Sequence, residues 1–357
     1  MRWKQRPEGS NWGDFGPDDQ LGRTNLIGPE QVRKGVAEVS EGRSFCLSLP
    51  LDFPGGNALN VRRHPPRLRP TKRDDIDYLN FPLGHVYPGA SDVVSDDQVQ
   101  LSLQYSTQWD SFAHVGSLFD ADGTGEAHVT YYNGYRGHEH VLGPVDHGLP
   151  SSSARYQAMC CAGRPADESV AKRLGIENLA VKGMQGRAVL IDIARVFGTT
   201  FQDIGYDQLM HAMSVTGAMV EPGDMVLLRT GFAELVLSMD RKPDPHKLHA
   251  SCAALDGSDP RLLQWITDSG LTALVADNYA VERHPPRNAP ADESRYALLP
   301  LHEHCLFKLG IPLGELWYLK ELADELHALD RTRLLLTAPP LRLPGAVGSP
   351  VTPIATI

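Results

Sequence analysis

The residues with most chemistry to offer fall in three groups along the chain. The first is Gln104-Tyr-Ser-Thr-Gln108-Trp-Asp110-Ser-Phe-Ala-His114, the second is Asp277-Asn278 with Glu282 and His284, and the third is Leu301-His302-Glu303-His304 followed by Glu315. Carboxylate oxygens and imidazole nitrogens of this kind suit Zn²⁺ or Mn²⁺. A bound divalent ion lowers the pKa of its water from 15.7 towards about 7, which makes hydroxide available near neutrality. A nearby histidine can then carry protons to a leaving group. Spacing alone leaves ordinary roles open: His114 as a core histidine, Asp110 as a turn or cap residue, Glu315 as a helix cap.

The elements that must position these groups are legible in outline. Gln98 to Gln104 alternates polar and apolar residues, which predicts a strand with Val99, Leu101 and Leu103 on one side, delivering the chain into the Asp110 segment. From about residue 166 helices and strands alternate. A helix is expected over Asp167–Leu174, ended by Gly175. Strands are expected over Ala188–Ile193, Asp224–Gly231 and Leu271–Asp277. Helices are expected over Tyr206–Thr216, closed by Gly217, and from Asp259-Pro260 through Asp268. This is an α/β pattern with helices packed on a sheet. Trp3 and Trp12 anchor an irregular amino-terminal arm, Pro29 opens a short helix, and Arg43–Leu49 reads as a strand ending at Pro50. Residues 52–92 read as a long loop or lid, and residues 120–150 as another loop-rich surface. Without repeats or a long linker, one domain with long loops is expected: an arm and short helix over 1–40, a catalytic domain over 41–338 and an extended tail over 339–357.

Composition narrows the function classes. The 357 residues are 41% hydrophobic and 22% charged, with a net charge of −10. Such a surface repels nucleic acid and anionic lipid unless a local patch overrides it. The best basic patch, Arg62-Arg63-His64 to Lys72-Arg73, lacks interleaved aromatics and runs into Asp74-Asp75, so it reads as a solvated loop. Five cysteines (46, 160, 161, 252 and 305) with no Cys-x-x-Cys point to reduced thiols in a cytoplasm rather than a disulfide framework. The first residues carry no apolar run of a secretory signal, and no stretch approaches 18 apolar residues. No Gly-x-Ser-x-Gly elbow, P-loop or dinucleotide fingerprint occurs, which argues against a serine hydrolase or a nucleotide cofactor.

The segment from Gln104 to His114 resembles the signature His-x-Gly-Thr-His-x-Asp-x-Pro-x-His of the cyclase family, to which bacterial kynurenine formamidase and isatin hydrolase belong. The likeness continues through Asn11–Asn25, Tyr132–Tyr135, Gly186–Asp192, Pro222–Gly231, Ala276–Glu282 and Gly310–Glu315, in order from about residue 11 to 325. The resemblance implies a swivelling β/β/α fold and a divalent-metal centre, Zn or Mn. It implies hydrolysis of C–N or C–O bonds in a small cyclic or formylated substrate, and a homodimer or homotetramer. By position, Asp110 matches a metal ligand able to bridge two ions, and His114 the proton shuttle. His302, preferred over His304 by its spacing to Glu315, matches with Glu315 the later ligand pair. The chain departs where Gln104 and Gln108 replace two metal-binding histidines, Ser106 a glycine and Phe112 a proline. Three readings follow: a mononuclear centre of Asp110, His302 and Glu315; glutamines that help hold a harder ion such as Mn²⁺; or a metal-free cyclase, lyase or small-molecule binding protein in which Gln108 orients substrate or water and His114 is the base.

Overall fold

A computed structural model describes residues 1–143, 170–289 and 296–357. Nine strands form its central sheet: β1 (Ser44–Cys46), β2 (Gln108–Asp110), β3 (Gln185–Asp192), β4 (Met225–Arg229), β5 (Ala273–Ala276), β6 (Leu313–Glu315), β7 (Arg333–Thr337), β8 (Gly348–Pro350) and β9 (Ile354–Thr356). Their spatial order is β1-β9-β7-β3-β4-β5-β6-β2-β8. The run β3-β4-β5-β6 is parallel, and the strands outside it pair antiparallel. The extended tail therefore ends inside the sheet, through β8 and β9.

Strands covered on both faces read as continuous apolar runs, and β3, β4 and β5 are of this kind. Alternate side chains feed two cores. Val189, Ile191, Val226, Leu228 and Leu274 face one core with Leu209 and Leu262, while Ala188, Leu190, Met225, Leu227 and Val275 face the other with Leu322 and Leu326. The covering helices are α1 (Pro29–Ala37), α2 (Tyr206–Thr216), α3 (Pro260–Ser269) and α4 (Lys320–Ala328). α2 ends at Gly217 in the left-handed conformation (φ 71°), and Asp259 caps α3 by accepting from Arg261 N. Trp12 is buried, donates to Phe307 O at 2.8 Å and packs edge-on to Trp3 and Phe307, which pins the arm. Tyr132 and Tyr135 serve the same arm, through Asp19 and Asp18 O.

Three expectations fail. The alternating segment is a strand only over Asp97–Gln100; it pairs with Arg67–Pro70 in a surface hairpin and leaves Val99 half exposed. Alternation marks a buried face only where something covers that face, and here nothing among the described residues does. Residues 52–92 are not one structureless loop but carry short paired strands. The helix expected at Asp167–Leu174 lies partly outside the described residues. Its remainder holds a strand, Val170–Ala171, paired with Val141–Leu142, and the helix starts only at Glu177. Cys160, Cys161 and His147 also lie outside the described residues, while Cys46, Cys252 and Cys305 are free thiols. No helix among the described residues is long and apolar enough to cross a membrane.

Glu221, in the turn before β4, ties three elements together. It pairs with Arg187 of β3 at 2.7 Å, Arg333 of β7 at 2.9 Å and Lys34 of α1 at 3.4 Å. The hydrogen bond from Arg187 leads in pulling its carboxyl from 4.5 down to about 2. A carboxyl depressed on folding stabilises fully above its unfolded pKa and loses that contribution as pH falls through the folded value. The difference in urea stability between wild type and Glu221→Gln should therefore be constant above about pH 5 and shrink towards about pH 2. A gap that stays constant down to the acid limit would mean that charge does not carry this link.

Candidate active site

Register brings side chains of the first and third groups together. In β2, Gln108 and Asp110 point to one face, while Trp109 points to the other, against Trp317, and donates to Ala338 O. β6 pairs antiparallel with β2 so that Glu315 lies opposite Gln108. The Gln108 amide consequently donates to Glu315 Oε2 at 2.8 Å, and its Nε2 is 3.5 Å from Asp110 Oδ1. Asp110 is fully buried, and His114 Nε2 lies 3.8 Å from its Oδ1. Gln104 sits in a loop, not on a strand. Its amide tucks over Gly348, the β8 partner of Asp110; a Cβ there would come within 2.4 Å of Gln104 Nε2.

His302 arrives from the turn Pro300–His302, just before the helical segment Glu303–Leu309. The buried carboxylate of Glu282 holds that turn: Oε2 accepts Leu301 N, and Oε1 accepts His302 N at 2.9 Å and faces His302 Nδ1 at 2.7 Å. A carboxylate only accepts, so Nδ1 carries a proton and Nε2 is directed at Glu315 Oε1, 3.4 Å away. His304, the competing histidine, turns aside to Thr267 Oγ1 at 2.9 Å, and burial pushes its pKa down to about 4.

Asp110, His302 and Glu315 thus each offer a ligand atom, all within 4.8 Å of one another and all buried. The donor set suits one divalent ion. Two buried acceptors beside it, Asp110 Oδ2 and Gln108 Oε1, have no hydrogen-bond partner, the condition in which a cation is most useful to them. The electrostatics agree. Burial raises the Asp110 carboxyl, and Glu315 adds to that rise against the pull of His114. Burial opposes charge on His302, yet Glu282 and Glu315 overcome it and raise the imidazole to about 10. The field that holds a proton on Nε2 is the field that would hold a metal cation there. His114 is lowered by burial, which keeps it a neutral base near pH 7.

A family model described as "Putative cyclase" matches residues 47–283, two-thirds of the chain. The chain belongs to the cyclase family. It is similar to a solved structure described as a novel cyclase, with 29% identity, a TM-score of 0.69, and coverage of 98% of this chain and 100% of that one. Isatin hydrolase A from Ralstonia solanacearum shares the fold at 14% identity and TM-score 0.51, covering 88% of this chain and 91% of that one. Isatin hydrolase A from Labrenzia aggregata does so at 14% identity and TM-score 0.52, covering 91% and 97%. No curated protein matches the chain.

In this cyclase-family chain the site opens into a cavity of about 520 Å³ lined by His114, His302, Glu315, Tyr279, His249 and Arg63. Three of these escape a reading of the sequence. Arg63 belongs to the basic run that reads as a solvated loop, yet its Nη1 donates to Gln104 O at 2.7 Å and lies 3.9 Å from Glu315 Oε2. Tyr279 OH and His249 Nδ1 are 3.0 Å apart at the wall; Tyr279 lies in the Ala276–Glu282 block without standing out from it, and no motif covers His249. Phe112, at the signature's proline, packs on Tyr132 instead of lining the cavity.

Proposed function

We propose that this cyclase hydrolyses a small cyclic amide, imide, formamide or lactone, with a divalent ion, Zn or Mn, held by Asp110, His302 and Glu315. The observation that carries the reading is the convergence of these three ligand atoms within 4.8 Å, buried beside an imidazole that is not one of them. When bound, such an ion polarises a carbonyl as a Lewis acid and eases deprotonation of water. The remaining work falls to the chain. His114 takes the proton as water adds to the carbonyl carbon, then returns it to the departing nitrogen or oxygen as the C–N or C–O bond breaks. Gln108 fixes the Glu315 carboxylate through its amide, and Gln104 fills the space over Gly348. Burial of Asp110 and Glu315 excludes water that would weaken these contacts. The fold shared with isatin hydrolases supports a small cyclic substrate. A homodimer or homotetramer, a cytoplasmic location and a small molecule as the partner belong to the same proposal.

One observation favours a second reading. The Gln108–Glu315 hydrogen bond satisfies a carboxylate that would otherwise seek a cation, as a metal-free cyclase, lyase or binding protein on this fold would require. Metal analysis separates the two. Purified protein dialysed against Mn²⁺ or Zn²⁺ is expected to retain about one ion per chain, and chelation to abolish turnover on a formamide, imide and lactone panel, with Mn²⁺ restoring it. Full activity in demonstrably metal-free protein would leave the second reading standing.

A further inference from the structure

The chain is acidic overall, with a net charge of −10, and many of its arginines are committed to carboxylates. Arg229 spans Asp192 and Glu234, Arg287 pairs with Asp256 at 2.7 Å, and Arg283 pairs with Asp203. Arg63 is not so committed. Its side chain is only 25% exposed, it gives one hydrogen bond, to a backbone carbonyl, and no acceptor among the described residues takes its Nε or Nη2. Glu315 does not use it fully either: 3.9 Å is too long for a hydrogen bond, and that carboxylate already receives the Gln108 amide at 2.8 Å.

Local structure aims this arginine. Asn60 turns the chain by accepting Arg62 N on its side chain and Arg63 N on its carbonyl, which places both residues at the cavity. Tyr105 anchors the same loop to the segment leading into β2, accepting Gly55 N at 3.0 Å and donating to Gly56 O at 2.9 Å. A half-spent guanidinium at a shaped cavity is a fork for a planar oxyanion.

We propose that Arg63, with Arg62 at the rim, binds a carboxylate of the substrate, so that the molecule hydrolysed is an anionic amide, imide or lactone. The use of this anchor rests on the hydrolase reading above, but its binding does not. Calorimetric titration of the metal-loaded protein with benzoate and benzamide, matched in shape and differing in charge, tests binding alone. Benzoate is expected to bind at least about tenfold more tightly than benzamide. Arg63→Ala should weaken benzoate by about tenfold or more and change benzamide less than about twofold, with Arg63→Lys between them. Equal affinities in the wild type, equal losses in Arg63→Ala, or benzoate binding that survives Arg63→Ala because it ligates the metal would each overturn the proposal. Should Arg63→Ala fail to fold, Arg63→Lys and Arg63→Gln give the same comparison. A charge-selective cavity in a protein that turns over no member of the hydrolysis panel would leave the anchor standing and remove the hydrolase.

Discussion

Asp110→Asn is expected to lower turnover by about a thousandfold or more and to bring bound metal well below one ion per chain. The substitution preserves volume and the β2 backbone, so the melting temperature should change little compared with the activity. The reason is position. Asp110 is fully buried between β6 and β8, within 4.8 Å of ligand atoms on His302 and Glu315, with Oδ2 lacking any partner. An amide there removes the negative charge and turns one acceptor into a donor aimed at the ion's place. Metal content, turnover and thermal unfolding measured on the same preparation decide the matter. A variant that keeps its metal and more than about a tenth of wild-type activity would move the centre of the chemistry away from Asp110.

The sequence makes the parallel half of this fold legible because β3, β4 and β5 are covered on both faces and read as apolar runs, and the helices between them are marked by Gly217 at the end of α2 and Asp259 at the start of α3. Asp110 and His114 stand out as candidates for a different reason, their places in a family signature, and His302 and Glu315 do so by matching the family's later ligand pair. Geometry separates His302 from His304: the two are close in sequence, but Glu282 grips the turn at His302 while His304 rotates to Thr267. What stays hidden follows from non-local pairing. β2 has three residues and no periodicity to detect, and its partners β6 and β8 lie some 200 residues away. Val99 alternates convincingly and lies in a surface hairpin. Arg63 looks like one charge in a basic run because its sequence neighbours do not reveal that Asn60 folds it back over Gln104.

Glu282 is the residue whose importance the sequence understates most. It follows Val281, a β-branched residue held at φ 58°, a conformation costing about 1–3 kcal/mol. The surroundings enforce it: Asn278 Oδ1 accepts Val281 N at 2.7 Å, and Val281 O accepts Leu255 N at 3.1 Å. The strain turns Glu282 inward to meet Leu301 N, His302 N and His302 Nδ1. A histidine whose far nitrogen is fixed by a carboxylate presents the other as a directed, more basic ligand. Glu282→Gln has one acceptor oxygen where three donors converge, so at least one buried N–H loses its partner, a cost of about 1–3 kcal/mol. Mn²⁺ affinity, read by competition with a chelator, should fall about 10- to 100-fold, and kcat should fall more than KM rises. A purely structural role for Glu282 would lower the melting temperature and leave the affinity of the folded fraction unchanged. The three contacts on one carboxylate make the coupled loss the expected result, since the backbone of the turn and the ring of His302 cannot be released separately.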